Sequence, residues 1–182
     1  MKKLVLILTC LFVINVACSQ KTQLQVTKPT TAHDDSKPNS TDVPDTITQT
    51  GQFERVVVAR FKFNTDLLEG IEKAVDQEKI ANAVIVSGIG SVRGYHVHVV
   101  SNRDFPSKNV YTDDPEHPAD LLGINGYVID GRVHAHVTLS DDDKAFGGHL
   151  EKGTNVFTFA VITLGVLSKE VNLSRVDDKT YR

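Results

Sequence analysis

Cysteine is scarce in this 182-residue chain, and both cysteines, Cys10 and Cys18, lie close to the N-terminus. No thiol remains beyond residue 18. A disulfide within the rest of the chain, thiol catalysis and a cysteine-ligated metal are therefore excluded there. The remaining residues are numerous enough to fold on a hydrophobic core alone.

An excess of basic residues is also missing. The formal net charge is −3 at pH 7, with 20 Lys and Arg against 23 Asp and Glu. A dedicated nucleic-acid binder neutralises phosphates with many basic side chains, so this balance argues against that class. Hydrophobic residues make up 40% of the chain, which is typical of a globular protein. The length allows one domain with extensions and excludes a large multi-site enzyme.

No apolar run reaches the roughly 20 residues that a membrane-spanning helix needs. Two lysines at positions 2 and 3 precede a largely apolar stretch over 4–14, and the small residue Ala17 follows. This pattern predicts an export signal over residues 1–17. Its end is similar to a bacterial lipoprotein signal, in which cleavage leaves a lipidated cysteine. We expect Cys18 to carry lipid and to anchor an exported protein at the cell envelope; ordinary signal cleavage is the alternative.

Residues 18–52 have the composition of a disordered tether. The 34 residues of 19–52 contain 8 Thr, 3 Ser, 3 Pro and 4 Asp, without any hydrophobic period. As a flexible coil this segment would separate its ends by roughly 30–35 Å. The folded domain is then expected over 53–182, where 15 basic residues face 19 acidic ones and give a net charge of −4.

Short runs rich in β-branched residues predict most of the domain. A helix is expected after the first strand, with Asn64, Thr65 or Asp66 as its N-cap. The glycines around 89–91 favour a tight reversal, Asp130-Gly131 predicts a two-residue hairpin, and the proline-containing stretch 101–118 predicts a loop. The fold class is α+β, a mainly antiparallel sheet of about seven strands with one main covering helix. Strands are predicted over 55–61, 83–88, 92–100, 121–129, 132–139, 154–164 and 170–176.

Two histidines, His134 and His136, fall on the same side of one predicted strand, because alternate residues of a strand face the same way. The opposite side is apolar and is expected to pack in the core. A third imidazole, His149, follows Gly147-Gly148. Together the three could hold zinc or a similar transition metal and leave one coordination position open for water. A polar, exposed strand face without metal is the alternative.

Other polar groups have simpler interpretations. His96 and His98 repeat the alternating pattern, and exposed positions on a strand are favoured over an auxiliary metal or a pH-sensitive surface. His33 and His117 are expected to be solvated. Three consecutive aspartates at 141–143 favour an acidic turn over a calcium loop.

Two enzyme classes lack support, because the chain has neither a phosphate-binding glycine loop nor a Gly-X-Ser-X-Gly motif. A metal-dependent hydrolase remains open as an alternative. It would need a general base beside the metal-bound water, and Glu151 and Asp120 are the nearest candidates by sequence position.

Several motifs together carry a resemblance. They are Ser-Gly-Ile-Gly-Ser at 87–91, Gly126, His-Ala-His-Val-Thr-Leu-Ser at 134–140, Phe-Gly-Gly-His-Leu at 146–150 and Gly153-Thr154. Their order resembles the PPC domain, a family of plants and prokaryotes whose function is largely unknown, over 53–176. The resemblance implies an α+β fold with a mostly antiparallel sheet, a homotrimer, and a metal, zinc by likeness to the family, at His134, His136 and His149. His96 and His98 lie outside the family pattern.

Plant members of that family join the domain to AT-hook segments that bind DNA. This chain has no Arg-Gly-Arg-Pro hook and its domain is acidic, although Arg55, Arg60, Lys62 and Arg93 could form a local basic patch. The interpretation favoured by the sequence is an exported, membrane-tethered, trimeric metal-binding module. A metal-dependent hydrolase and a DNA-binding protein are the alternatives.

Overall fold

The structure, a computed structural model, describes residues 21–24, 41–42, 44–103 and 107–177. The predicted export signal and Cys18 lie outside these residues. Within the described ranges, no helix is both long and apolar enough to cross a membrane.

In this part of the chain the fold consists of eight strands and one α-helix, numbered in chain order. The helix α1 spans Leu67–Gln77. The strands are β1 Lys21–Leu24, β2 Phe53–Lys62, β3 Ala83–Val100, β4 Asn109–Asp114, β5 Ala119–Ile129, β6 Arg132–Ser140, β7 Ala145–Leu150 and β8 Asn155–Leu167.

The long strand β3 organises the sheet, in which every strand pairing is antiparallel. Its first half lies between β5 and β8, and its second half lies between β4 and β7. Strands β5, β6 and β7 follow one another, and β7 returns to β3, which closes a ring of four strands. At the edges β8 pairs with β2, and β4 pairs with β1. The predicted mainly antiparallel sheet with one helix is confirmed, and the sheet dominates the fold.

The reversal predicted around 89–91 is wrong, because β3 runs without interruption through that point. Gly90 has φ +155°. A Cβ at this residue would lie 2.3 Å from the carbonyl oxygen of Phe159 on β8. This glycine therefore permits two backbones to approach closely and does not serve a turn.

Other predictions also need correction. The expected loop 101–118 contains β4, and neither β7 nor β1, which lies within 18–52, was predicted as a strand. The segment 170–176 was expected to be a strand but is irregular over 171–173 and forms turns over 174–176. Its apolar side chains Val171 and Leu173 are nevertheless buried, since they pack against Ile129 in a small second cluster. Burial, not strand pairing, explains their apolar character.

The helix forms as its sequence predicts. Asp66 is the N-cap, and its Oδ1 accepts a hydrogen bond of 3.0 Å from the backbone N–H of Glu69. Leu67, Ile71 and Val75 recur on one face and are buried in the main core. The helix thus covers the sheet on the apolar side.

The hairpin between β5 and β6 sets the register on which the histidines depend. Asp130 and Gly131 have φ of 49° and 77°, as a two-residue hairpin turn requires. Ala135, Val137 and Leu139 are buried, at 1%, 4% and 0% exposure. The intervening side chains of β6, including His134 and His136, consequently lie on the outer face.

Candidate metal centre

A row of imidazoles crosses the outer face of three neighbouring strands. His98 on β3 is the cross-strand partner of His149 on β7, and His149 is in turn the partner of His136 on β6. Side chains of directly opposite residues lie on the same side of a sheet. His134, two residues before His136, joins the row from the same strand. The closed ring of strands therefore gathers four histidines from distant parts of the chain.

The three predicted ligands His134, His136 and His149 lie together. Their donor nitrogens all lie within 4.8 Å of one another. The ring centroids of His149 are 4.9 Å from His134 and 5.1 Å from His136. A tetrahedral zinc ion with Zn–N bonds near 2.0–2.1 Å needs nitrogens about 3.4 Å apart, so modest side-chain rotations would complete the site. Borderline-soft nitrogen donors of this kind suit zinc and similar transition metals.

Asp177 orients one of these ligands. The Nδ1–H of His134 donates a hydrogen bond of 3.3 Å to Oδ2 of Asp177, and Arg132 donates one of 2.9 Å to the same oxygen. With Nδ1 carrying the proton, the neutral ring of His134 keeps its lone pair on Nε2. A carboxylate that orients a histidine in this way is the usual second partner of a metal-ligating imidazole. The sequence analysis missed Asp177 because it lies 43 residues from His134.

Partial burial, together with the neighbouring imidazoles, favours the neutral form of two of the rings. Desolvation by partial burial, followed by the charges of His98, His134 and His136, lowers the pKa of His149 to about 4. Desolvation and the charge of His134 also lower the pKa of His136. A metal binds only the neutral form of histidine. The cluster is therefore ready for a metal at neutral pH without first losing protons at these two rings.

The side chain of His98 is less exposed than the sequence predicts. Its side chain is only 17% exposed, and its ring centroid lies 4.5 Å from that of His149. The Nδ1–H of His98 donates a short hydrogen bond of 2.6 Å to Oε1 of Glu151. His98, His149 and Glu151 form a second group whose donor atoms lie within 4.8 Å of one another.

The two candidate general bases have different surroundings. Glu151 lies in this second group, beside His98 and His149. Asp120 pairs with Ser91 and Ser140 near the start of β5, whereas His136 pairs with Asn125, five residues further along. Because of a bulge in β5 the same two pairs are only four residues apart on β6, so at about 3.3 Å per residue Asp120 is roughly 13 Å from the row of histidines. Its proximity in sequence did not predict proximity in space.

The other polar groups singled out in the sequence, His96, His117 and Asp141, belong to neither group of donors. His96 donates a hydrogen bond of 2.7 Å to the carbonyl oxygen of Lys152. His117 is 41% exposed and donates one of 3.1 Å to Oδ2 of Asp141. Oδ1 of Asp141 accepts from the backbone N–H groups of Asp143 and Lys144, which is the acidic turn that the sequence predicts. These hydrogen bonds explain the lowered pKa of Asp141.

A mostly apolar pocket of 360 Å³ opens beside His134 and His136. Tyr127 and Ile129 of β5 line one side, and Val176 lies with Asp177 at the other. A ligand bound there would meet an apolar wall next to the imidazoles. An organic molecule could therefore lie within reach of a metal held by the histidines.

The fold and the site together define the class of this protein. It has a closed antiparallel sheet whose outer face carries a histidine-rich candidate metal centre. The profile of the Plants and Prokaryotes Conserved (PCC) domain matches residues 48–168. The chain belongs to this family, as its motifs indicate. No curated protein matches the chain.

Solved structures share the fold. A metal-containing protein of Archaeoglobus fulgidus is 25% identical with a TM-score of 0.57, over 69% of this chain and 89% of that one. A plant- and prokaryote-conserved protein of Pyrococcus horikoshii is 26% identical with a TM-score of 0.57, over 69% and 87%. A hypothetical protein of Salmonella enterica, 18% identical with a TM-score of 0.56 over 66% and 83%, is similar in fold alone.

Proposed function

We propose that this protein is an exported, membrane-tethered, homotrimeric metal-binding module in which His134, His136 and His149 hold zinc or a similar transition metal. The observation that carries the proposal is the convergence of these three imidazoles within 4.8 Å, from two strands of one closed ring. Three nitrogen ligands would leave a fourth position for water or a ligand. The likeness to a relative described as metal-containing supports it.

The metal content of the full-length protein, purified in detergent, tests the site. We expect close to one equivalent of zinc or another transition metal per chain, lost in a variant with His134→Gln, His136→Gln and His149→Gln. The matched control is His117→Gln, which removes a histidine that pairs with Asp141 away from the cluster. A folded wild-type protein that binds no added zinc would refute the metal site.

The homotrimer is supported by apolar side chains that remain exposed. Ile89, Leu122, Phe157 and Phe159 line one groove of 480 Å³ on the outside of the sheet, and Ile89 is 61% exposed. A contiguous apolar surface of this kind marks an interface, and a second copy of the chain is the partner that the family resemblance implies. Light scattering should give three times the chain mass, and Ile89→Asp should lower it. A monomeric wild-type protein would contradict the trimer.

The membrane tether rests on the sequence around Cys18. We expect the protein to fractionate with membranes and Cys18→Ala to release it in folded form. Wild-type protein found in the cytoplasm would refute both export and lipidation.

A metal-dependent hydrolase is the second candidate, and the apolar pocket beside His134 and His136 favours it. A metal at the three histidines would lower the pKa of a bound water, and the pocket would hold the apolar part of an ester or amide. Of the two bases that the sequence offered, Glu151 lies on this face beside His149, whereas Asp120 lies further along the sheet. Hydrolysis of apolar esters that is lost with chelator and restored by zinc would support this activity.

Among the residues that the structure describes, no comparable feature favours DNA. Arg55 donates to the carbonyl oxygen of Glu78, and the guanidinium groups of Arg60 and Arg93 lie over the rings of Phe159 and Phe63 at 5.7 and 5.4 Å. Three of the four residues of the candidate basic patch thus make contacts within the protein. We expect no retention on DNA at physiological salt, and retention that falls steeply with added salt would contradict this expectation.

A further inference from the structure

We propose that His98, His149 and Glu151 form a second metal position, which adjoins the first and shares His149 with it. The inference rests on the proposed function only through that shared histidine. His98 lies outside the motif that identifies the family, so this position belongs to this chain's own sequence.

The first argument is geometric. The donor atoms of His98, His149 and Glu151 lie within 4.8 Å of one another, as close as those of the three-histidine group. Their elements fix them, since His98 and His149 are direct partners across β3 and β7. The backbone N–H of Glu151 donates 3.0 Å to the carbonyl oxygen of His96, which continues the pairing just beyond β7. Glu151 is thereby held beside His98 by the backbone and not only by its side chain.

The second argument is chemical. Two imidazoles and one glutamate form a donor set that binds zinc and leaves a position open. The side chains of His98 and Glu151 are 17% and 26% exposed, which leaves an entry path while limiting competition from water. An ion would replace the proton between His98 Nδ1 and Glu151 Oε1, and that proton would move to Nε2 of His98. The two atoms are 2.6 Å apart and would have to separate to about 3.4 Å, the spacing of adjacent ligands on a tetrahedral zinc ion.

Sharing His149 limits how the two positions are filled. A neutral imidazole has one lone pair, so His149 can serve one ion at a time. The two positions are then alternative binding sites for a single ion on the outer face of the sheet. Filling both at once would require His149 to lose its remaining ring proton and to bridge two ions.

Zinc binding by the full-length protein in detergent, measured by competition with a chromophoric chelator, tests the proposal through two paired variants. His134→Gln/His136→Gln removes ligands of the first position only, and His98→Gln/Glu151→Gln removes ligands of the second only. We expect the first pair to keep one zinc that is bound about 10–100-fold more weakly than in wild type, and the combination of all four changes to lose it. Two equivalents in wild type, with one lost in each pair, would also establish the second position.

The opposite pattern would overturn the proposal while leaving the three-histidine site intact. In that case His134→Gln/His136→Gln abolishes binding and His98→Gln/Glu151→Gln leaves it unchanged, which makes His98 and Glu151 an ion pair only. Conversely, binding that is lost only in His98→Gln/Glu151→Gln would establish the second position and refute the first. Circular dichroism of each variant, with His117→Gln as the control, separates loss of ligands from loss of fold.

Discussion

The two faces of strand β6, which is nine residues long, have different roles. Ala135, Val137 and Leu139 point inward and are almost fully buried, whereas His134 and His136 point outward into the row of imidazoles. The inner face is held by apolar packing, which is insensitive to pH and to metal. The outer face contributes little to packing and brings together groups that repel one another once protonated. Apolar packing and candidate chemistry are thus divided between the two faces of a single strand.

The largest effect should come from the inner face. Leu139→Ala removes a side chain with 0% exposure. We expect the free energy of unfolding to fall by about 2–5 kcal/mol, because the lost transfer energy and the new cavity add together. Urea unfolding measures the change, and Thr138→Ala, an exposed neighbour on the outer face, serves as the control. A loss below about 1 kcal/mol would mean that the inner face is not part of a tightly packed core.

Metal should stabilise the fold entirely through the outer face. At zinc concentrations 100 times the dissociation constant, binding to the folded state adds about 2.7 kcal/mol. We expect chelator to lower the melting temperature of wild-type protein and to leave that of His149→Gln unchanged, since His149 belongs to both groups of donors. Equal sensitivity of the variant to chelator would show that the stabilising ion binds elsewhere.

Asp177→Asn is a gentler change on the outer face. The amide keeps the size of the side chain but loses the charge that orients His134 and pairs with Arg132. Loss of such an orienting partner typically weakens metal affinity about 10–100-fold. Chelator competition measures this, with Asp142→Asn in the acidic turn as the control. Unchanged affinity would mean that the strand alone orients His134.

The smallest effect concerns pH in the metal-free protein. Unfolded histidine has a pKa near 6.5, while folded His149 has a pKa of about 4. Between these values the unfolded state binds more protons, so stability should decrease as pH falls from about 6.5 to 4. We expect a loss on the order of 1 kcal/mol, because the ring is only partly buried. His149→Gln should flatten this dependence in urea titrations; an unchanged slope would assign the effect to other groups.

The contrast between the faces of β6 was predictable, because alternation is a local signal. The cap at Asp66 and the Asp130-Gly131 turn were equally local, and the structure contains both. The prediction at Gly90 was wrong because a glycine that permits the close approach of a neighbouring strand cannot be distinguished in sequence from a glycine in a turn. Strand β4 was not predicted, because the three prolines of 101–118 are typical of a loop. One of them, Pro106, lies outside the described residues.

The candidate site was predictable only in part for the same reason. His-X-His on one strand is visible in sequence, but the pairing of His98 with His149 joins residues 51 positions apart. No periodicity carries that information, since it depends on β7 returning to β3. Asp177 and Glu151 likewise acquire their roles from contacts that the chain makes only when folded.

The return of β7 to β3 also has a kinetic meaning. Until that seam forms, His98 cannot face His149, and the second group of donors does not exist. Long-range pairings of this kind are expected to form slowly, because loop closure must precede them. We therefore expect the donors of His98, His149 and Glu151 to come together only when the ring of strands closes during refolding. The delay before a coloured ion such as cobalt binds would then measure the time that ring closure takes.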